Sequence, residues 1–228
     1  TPILDDKVRF VGDRVAAVAA ETREVAEAAL KLIEVDYEVL EPVFDIRKAD
    51  EEGQAVIHDE PDAVAAIPVF YEPKRNLAAK VEFSVGDPDG ELDGADVVVD
   101  VETETQHAQH APLEPHITIC SLDPYDRLII RTSTQVPFHV RRIVAQALDI
   151  PVRKIRVIKP RIGGGFGAKQ EVLEDLPALL CLRTRRPVKM EYTRSEELVS
   201  SRIRHPSVVR VQLGVRKATC EGAKGKVK

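Results

Sequence analysis

Four glycines crowd into five positions at Gly163-Gly164-Gly165-Phe166-Gly167, and no other stretch restricts the fold of this chain as sharply. Glycine is costly to order, so such a cluster answers a need for positive φ or for close approach of backbone to another group. A β-branched run, Ile155-Arg156-Val157-Ile158, precedes the loop, and a helical pattern follows it. Backbone N–H groups freed in a loop of this kind, beside a helix N-terminus, can receive an anion. The plain alternative is a tight strand-to-helix turn, although an ordinary turn is satisfied by one or two glycines.

Two named nucleotide motifs fail at this loop. A Walker-type phosphate loop ends in Gly-Lys-Ser/Thr, whereas the chain reads Ala168-Lys169-Gln170. The dinucleotide fingerprint G-x-G-x-x-G requires glycine at position 168, which is alanine. The loop therefore suggests an anionic or extended cofactor held by backbone, outside the usual ATP and NAD patterns.

With 228 residues, 43% apolar and 31% charged, the chain can bury a core of one or two domains and is neither disordered nor collagen-like. A net charge of −5, without a basic stripe interleaved with aromatics, argues against nucleic acid as a partner. Apolar runs are too short to span a bilayer, and no signal peptide is visible. Cys120, Cys181 and Cys220 form no C-x-x-C pair, which points to a reducing cytoplasm. Three thiolates cannot by themselves hold an iron–sulfur cluster. The start at Thr1-Pro2 and the Gly/Lys-rich end read as a piece of a larger polypeptide.

The pattern along the chain is α+β (mixed α/β). Val8–Phe10 and Val15–Ala19 flank Gly12-Asp13 and read as a hairpin or two successive strands. Thr22 can cap a helix to about Val35, with Val25, Ala28, Ala29 and Leu32 on one face. Asp36–Phe44 returns as a strand, and Pro61, Pro68 and Pro73 then mark a linker. Lys80–Val85, Ala95–Glu104, Ile117–Leu122 and Leu128–Thr132 read as strands, the last two joined through Asp123-Pro124-Tyr125-Asp126. Pro137 suits the first turn of a helix through Leu148, with Val140, Ile143, Val144 and Ala147 inward. Glu171–Leu182 looks helical apart from Pro177. Strands at Val188–Tyr192 and Ser207–Leu213 and a short helix near Arg194–Ser200 complete the pattern.

His107, His110, His116 and Cys120 invite a zinc reading, but their spacing matches no structural zinc pattern. Placement in a polar pocket wall or in water is the simpler expectation. Gln135, in Thr134-Gln135-Val136-Pro137, stands where a strand passes into a helix. There a neutral amide can both donate and accept toward a ligand oxygen, or merely serve helix entry. Cys181 reads as core, no G-x-S-x-G elbow occurs, and Glu171, Glu174 and Asp175 read as a solvated first turn favoured by the helix dipole.

Taken in order, these stretches resemble the molybdenum-binding subunit of the xanthine dehydrogenase and aldehyde oxidase family of molybdenum hydroxylases. VRFVGDRVAAVAAETREVAEAALKLIEVDYEVLEPVFD is similar to that family's α/β hammerhead domain. HAPLEP at His110–Pro115, TQVP at Thr134–Pro137, GGGFGAK at Gly163–Lys169 and RPVKMEYTRSEE at Arg186–Glu197 are similar to motifs of its first molybdopterin-binding domain. The resemblance implies a hammerhead domain with a Pro-rich linker at its end over residues 1–75, and part of the first molybdopterin-binding domain over 76–228.

The family binds molybdenum through the dithiolene of molybdopterin, often in the cytosine dinucleotide form, so no protein side chain is expected as metal ligand. It hydroxylates an electron-poor carbon of a purine, a nicotinate-like ring or an aldehyde with water-derived oxygen. Electrons leave through iron–sulfur clusters and FAD on other subunits or domains, in what is commonly a dimer of heteromeric protomers. On this resemblance Gln135 hydrogen-bonds a metal oxygen ligand, and Gly163, Gly164, Gly165, Phe166, Gly167 and Ala168 form the cofactor contact. Glu114 is structural. Gln170 faces the substrate where purine-oxidising members have a carboxylate, which favours other heteroaromatic rings over xanthine. The family's glutamate base is expected outside this chain, so the fragment alone is expected to be inactive. Two other readings stay open: a non-catalytic binding or assembly module, and a phosphate- or nucleotide-binding protein using the glycine loop.

Overall fold

The structure is a computed structural model that describes residues 3–61, 63, 65, 68–170 and 173–217. The first elements are α1 (Arg23–Leu30), β1 (Phe70–Glu72), β2 (Leu77–Lys80), α2 (Pro88–Asp93) and β3 (Val97–Thr105). Next come β4 (Ala108–Gln109), β5 (Ile117–Leu122), β6 (Leu128–Thr132), α3 (Pro137–Ala147) and β7 (Ile155–Ile158). The chain continues through α4 (Asp175–Thr184), β8 (Val188–Glu191), α5 (Arg194–Ser200), β9 (Ile203–Arg204) and β10 (Ser207–Val215). Contacts group these into two compact units, Thr1–Pro42 with Ala108–Arg204 and Val43–His107 with His205–Lys228.

The first unit is built on a four-stranded sheet in the order β7-β6-β5-β8. β5 pairs antiparallel with both β6 and β8, whereas β6 and β7 run parallel. Parallel neighbours need a crossover, and α3 supplies it. Alternation sets the inner face: Thr118 and Cys120 on β5, and Leu128, Ile130 and Thr132 on β6, are buried. Against that face lie Val140, Val144 and Ala145 of α3 and Ala178 and Cys181 of α4. A side chain the size of Ile130, wholly out of water, contributes about 1.5–3 kcal/mol by burial.

Pro177, an apparent obstacle to a helix, is harmless because α4 begins at Asp175. That places the proline in the first turn, where its missing N–H has no helical acceptor to lose. The helix ends at Arg185, in the left-handed region at φ 58°, with its N–H on the Cys181 carbonyl. Arg14 grips Asp175 with two hydrogen bonds of 2.5 and 3.2 Å, fixing the N-terminal segment to this helix.

The expected strands near the N-terminus do not form. Gly12 turns at φ 102° and the Asp13 N–H meets the Phe10 carbonyl at 3.1 Å, but Val8–Phe10, Val15–Ala19 and Asp36–Phe44 join no ladder. Thr22 caps α1 as expected, with its side chain accepting the Val25 N–H, yet the helix stops at Leu30 and buries none of its residues. A strand needs a ladder partner, and among the described residues the three expected strands have none; Phe10, Val25, Leu32 and Val39 stay exposed, while Val15 and Val18 are half-buried.

In the second unit β3 and β10 pair antiparallel over nine residues, from Ser207 opposite Thr105 to Val215 opposite Val97. β2 starts at Leu77, three residues before the expected strand, and pairs with β1; Val81–Val85 lie outside it. The proline-bearing stretch expected as a linker is gathered around Asn76. That side chain accepts the Ile57 N–H at 2.8 Å and donates to the Ala49 and Ala55 carbonyls at 2.9 Å each.

Candidate functional site

The glycine loop lies in the first unit, directly after β7, and its backbone explains its composition. Gly164 and Gly167 take φ of +96° and +103°. Gly163 and Gly165 are required by packing instead. A Cβ at Gly163 would fall 2.7 Å from the Glu114 Cβ, and one at Gly165 would fall 2.6 Å from the Gln135 Oε1. Phe166, with φ 54° and 72% of its surface exposed, projects from the loop into solvent. Ala168 and Lys169 close the loop in the interior.

Two side chains brace the loop from beneath. Glu114 accepts the Gly163 N–H at 2.8 Å and the Lys169 Nζ at 2.5 Å, and its own N–H donates to the Gly163 carbonyl at 3.2 Å. Burial opposes its charge, but the bonds from Lys169 and Gly163 outweigh that and hold its carboxyl below the usual range. Lys169 sits wholly out of water against this carboxylate. Gln135 accepts the Gly167 N–H on Oε1 at 2.9 Å, while its backbone N–H donates to the Lys169 carbonyl at 2.8 Å. Only an oxygen can accept from Gly167, so the amide orientation is fixed and the Nε2 donor faces away from the loop backbone. Among the described residues no acceptor meets Nε2, and the N–H groups of Gly164, Gly165 and Phe166 donate to no protein oxygen.

Behind Gly167 stands His110, whose Nε2 would lie 3.3 Å from a Cβ at that glycine. Its Nδ1 is 3.2 Å from the Arg202 carbonyl, which makes Nδ1 the donor there. Gln170 is half-buried at the loop's far end, its carbonyl accepting from the Arg202 Nε at 2.8 Å. Arg194 clamps the HAPLEP segment by donating to the Pro112 and Leu113 carbonyls at 2.8 and 2.7 Å.

Several residues prove more involved than their sequence context announces. His116 is buried and contacts Glu197 and the Ala168 carbonyl, while His110 lines the loop. Cys120 lies in the core, where burial pushes its thiol up. Among the described residues no group of His, Cys, Asp and Glu could hold a metal ion. The solvated first turn does not hold for Glu174 or Asp175. Glu174 is 3% exposed and accepts the Thr132 hydroxyl at 2.9 Å, and burial raises its carboxyl above the usual range. Asp175 is the partner of Arg14. Glu171 and Cys220 lie outside the described residues.

Backbone donors left open beside a fixed carboxamide, on a loop whose form demands glycine, suit an oxygen-rich anionic group. Residues 69–220 match the molybdopterin cofactor-binding domain, and residues 1–41 match the a/b hammerhead domain of aldehyde oxidase and xanthine dehydrogenase. The chain belongs to the molybdopterin-binding family of xanthine dehydrogenases and aldehyde oxidases, as its motifs imply. It is 43% identical to "Probable hypoxanthine oxidase XdhD" of Escherichia coli O157:H7, over 92% of this chain and 24% of that protein. It is 33% identical to the nicotinate dehydrogenase large molybdopterin subunit of Eubacterium barkeri, over 94% of this chain and 48% of that one. Quinoline 2-oxidoreductase from Pseudomonas putida 86 superposes with a TM-score of 0.77 at 29% identity, covering 95% of this chain and 26% of that one. The chain thus spans about a quarter of the length of the first of these relatives. The nucleotide-binding reading of the loop finds no support in these matches.

Proposed function

We propose that this chain is the cofactor-holding portion of the large subunit of a molybdenum hydroxylase that oxidises an N-heteroaromatic ring. The observation that carries the reading is the donor array: the open N–H groups of Gly164, Gly165 and Phe166 beside the fixed Nε2 of Gln135. The residues fit molybdopterin. Gly163, Gly164, Gly165, Phe166 and Gly167 line the face toward it, the fully buried Ala168 closes the loop behind them, and Gln135 offers an amide N–H to one of its oxygens. Molybdenum is held by the pterin dithiolene, with the cytosine dinucleotide form as the variant we expect. When bound, this group supplies the redox centre at which water-derived oxygen is added to an electron-poor carbon.

The chain's own contribution is positional. Glu114 and Lys169 hold the loop from one side and Gln135 from the other, so donors are oriented before any ligand arrives. Gln170, beside the loop, presents a neutral amide that can donate to and accept from ring nitrogens and carbonyls. The names of the hypoxanthine, nicotinate and quinoline relatives favour a heteroaromatic substrate over an aldehyde. We assign residues 1–75 to the hammerhead domain with its linker and 76–228 to the first molybdopterin-binding domain. Iron–sulfur and FAD subunits or domains complete the cytoplasmic enzyme, in a dimer of heteromeric protomers, and the general base lies outside this chain. No helix of the described residues is long and apolar enough to cross a membrane.

Molybdenum and pterin content of the complete subunit, co-expressed with its partners, tests the reading. About one molybdenum per chain is expected. Its absence, in cells that load other molybdenum enzymes, overturns the assignment.

A further inference from the structure

His116 and Glu197 form a buried pair that the proposed function does not use. Glu197 is fully buried on α5, a helix fixed at its start by a reciprocal capping box between Thr193 and Glu196. Its carboxylate accepts the His116 backbone N–H at 2.8 Å and lies 2.8 and 3.0 Å from the His116 Nδ1. The other ring nitrogen, Nε2, lies 3.2 Å from the Ala168 carbonyl. That carbonyl also accepts the Gln170 N–H at 3.0 Å, so it is held from two sides at the foot of the glycine loop.

Both ring nitrogens therefore face oxygens, and a carbonyl oxygen has no proton to give. Nε2 must carry a hydrogen for the contact with Ala168 to be attractive. Burial disfavours charge on Glu197, but the hydrogen bonds from His116 outweigh it and hold the carboxyl below its usual range. The carboxyl and the imidazole share a hydrogen bond at Nδ1, and the ring donates to Ala168 at Nε2. Glu114, Lys169 and Glu174 also act electrostatically on this pair, and the Tyr192 ring lies 5.7 Å from the imidazole.

We propose that His116 and Glu197 are positioning residues for the glycine loop: Glu197 orients the imidazole, and the imidazole pins the Ala168 carbonyl so that the donors of Gly164–Phe166 face the cofactor. The inference rests on the proposed cofactor reading. It makes α5, remote in sequence from the loop, part of the cradle. A purely structural pair would contribute to folding alone, whereas a positioning pair also sets how well the loop receives its ligand.

The test uses the complete subunit with its partners and reads molybdenum content together with the melting temperature. Glu197→Gln keeps the geometry with a neutral ring. Its carbonyl accepts the His116 N–H, its amide donates to Nδ1, and Nε2–H still reaches Ala168. Its molybdenum content should stay within about twofold of the unsubstituted protein, because no hydrogen bond is lost. The double variant His116→Leu/Glu197→Leu removes both buried polar groups together, which preserves folding far better than removing one. It should melt near the parent yet lose molybdenum about tenfold, the effect of one lost hydrogen bond on the loop. A folded double variant with parental molybdenum content overturns the proposal. If the double variant fails to fold, Glu197→Met must lower molybdenum content where Glu197→Gln does not, and equal contents overturn the proposal. A parent protein without molybdenum instead overturns the cofactor reading on which the inference stands.

Discussion

Adding a single methyl group at Gly165 should dismantle the donor array without touching the core. The Cβ of Gly165→Ala would lie 2.6 Å from the Gln135 Oε1, 2.8 Å from its Cδ and 3.0 Å from its Cγ. Gln135 cannot simply retreat, because its Oε1 is the acceptor for the Gly167 N–H and its backbone is tied to the Lys169 carbonyl. The position is therefore overpacked, and relieving the collision by displacing the loop costs about 1–3 kcal/mol. Cofactor affinity should fall by about tenfold or more if that cost is borne in the loop's competent conformation. The assay is molybdenum content of the complete subunit, alongside thermal melting. Removing the obstructing side chain in Gly165→Ala/Gln135→Ala should recover most of the molybdenum content, since the two positions are in direct contact and their effects cannot add. Parental content in Gly165→Ala would refute the packing argument. So would a double variant no better than the single one, because the obstruction would then not be Gln135.

Gln135→Ala alone leaves the loop backbone free of collision. Molybdenum should be retained while turnover drops by about tenfold, the effect of one lost hydrogen bond; unchanged rates would remove Gln135 from the site. Glu174→Gln probes the carboxyl under the sheet, whose buried form favours the proton. A raised carboxyl contributes most below its unfolded value and loses that contribution as pH rises through the folded one. The glutamine variant should therefore gain on the parent, in chemical denaturation midpoint, as pH rises from about 5 to about 8. A constant difference across that range would show that Glu174 does not titrate there.

Much of the sheet could be read from the sequence because its signals are local. β5 and β6 alternate with period two around a turn rich in Asp and Pro, and the Arg194–Ser200 helix begins with its capping residues in place. The N-terminal strands could not be judged this way. Val8–Phe10 and Asp36–Phe44 have the composition of strands, but a strand exists only with a partner, and partner choice is a long-range property. At the site, the glycine cluster announced itself through its cost. The roles of Lys169, Glu197 and Glu174 did not, since a charged residue looks solvated until the fold buries it beside a counter-group. His116 stood in a group of histidines whose spacing excluded structural zinc, and nothing local pointed to its actual partner, a carboxylate 81 positions further along the chain.

The Lys169 amine, shut out of water beneath the loop, has a chemical consequence of its own. Acylating reagents modify an amine only where they can reach it, so this lysine stays silent while surface lysines such as Lys48 and Lys80 react. Its labelling then proceeds at the rate at which the loop lifts from Glu114. One buried ammonium group thereby becomes a clock for loop opening, readable by mass spectrometry on a single peptide, and it should slow when the loop is held shut by a bound ligand.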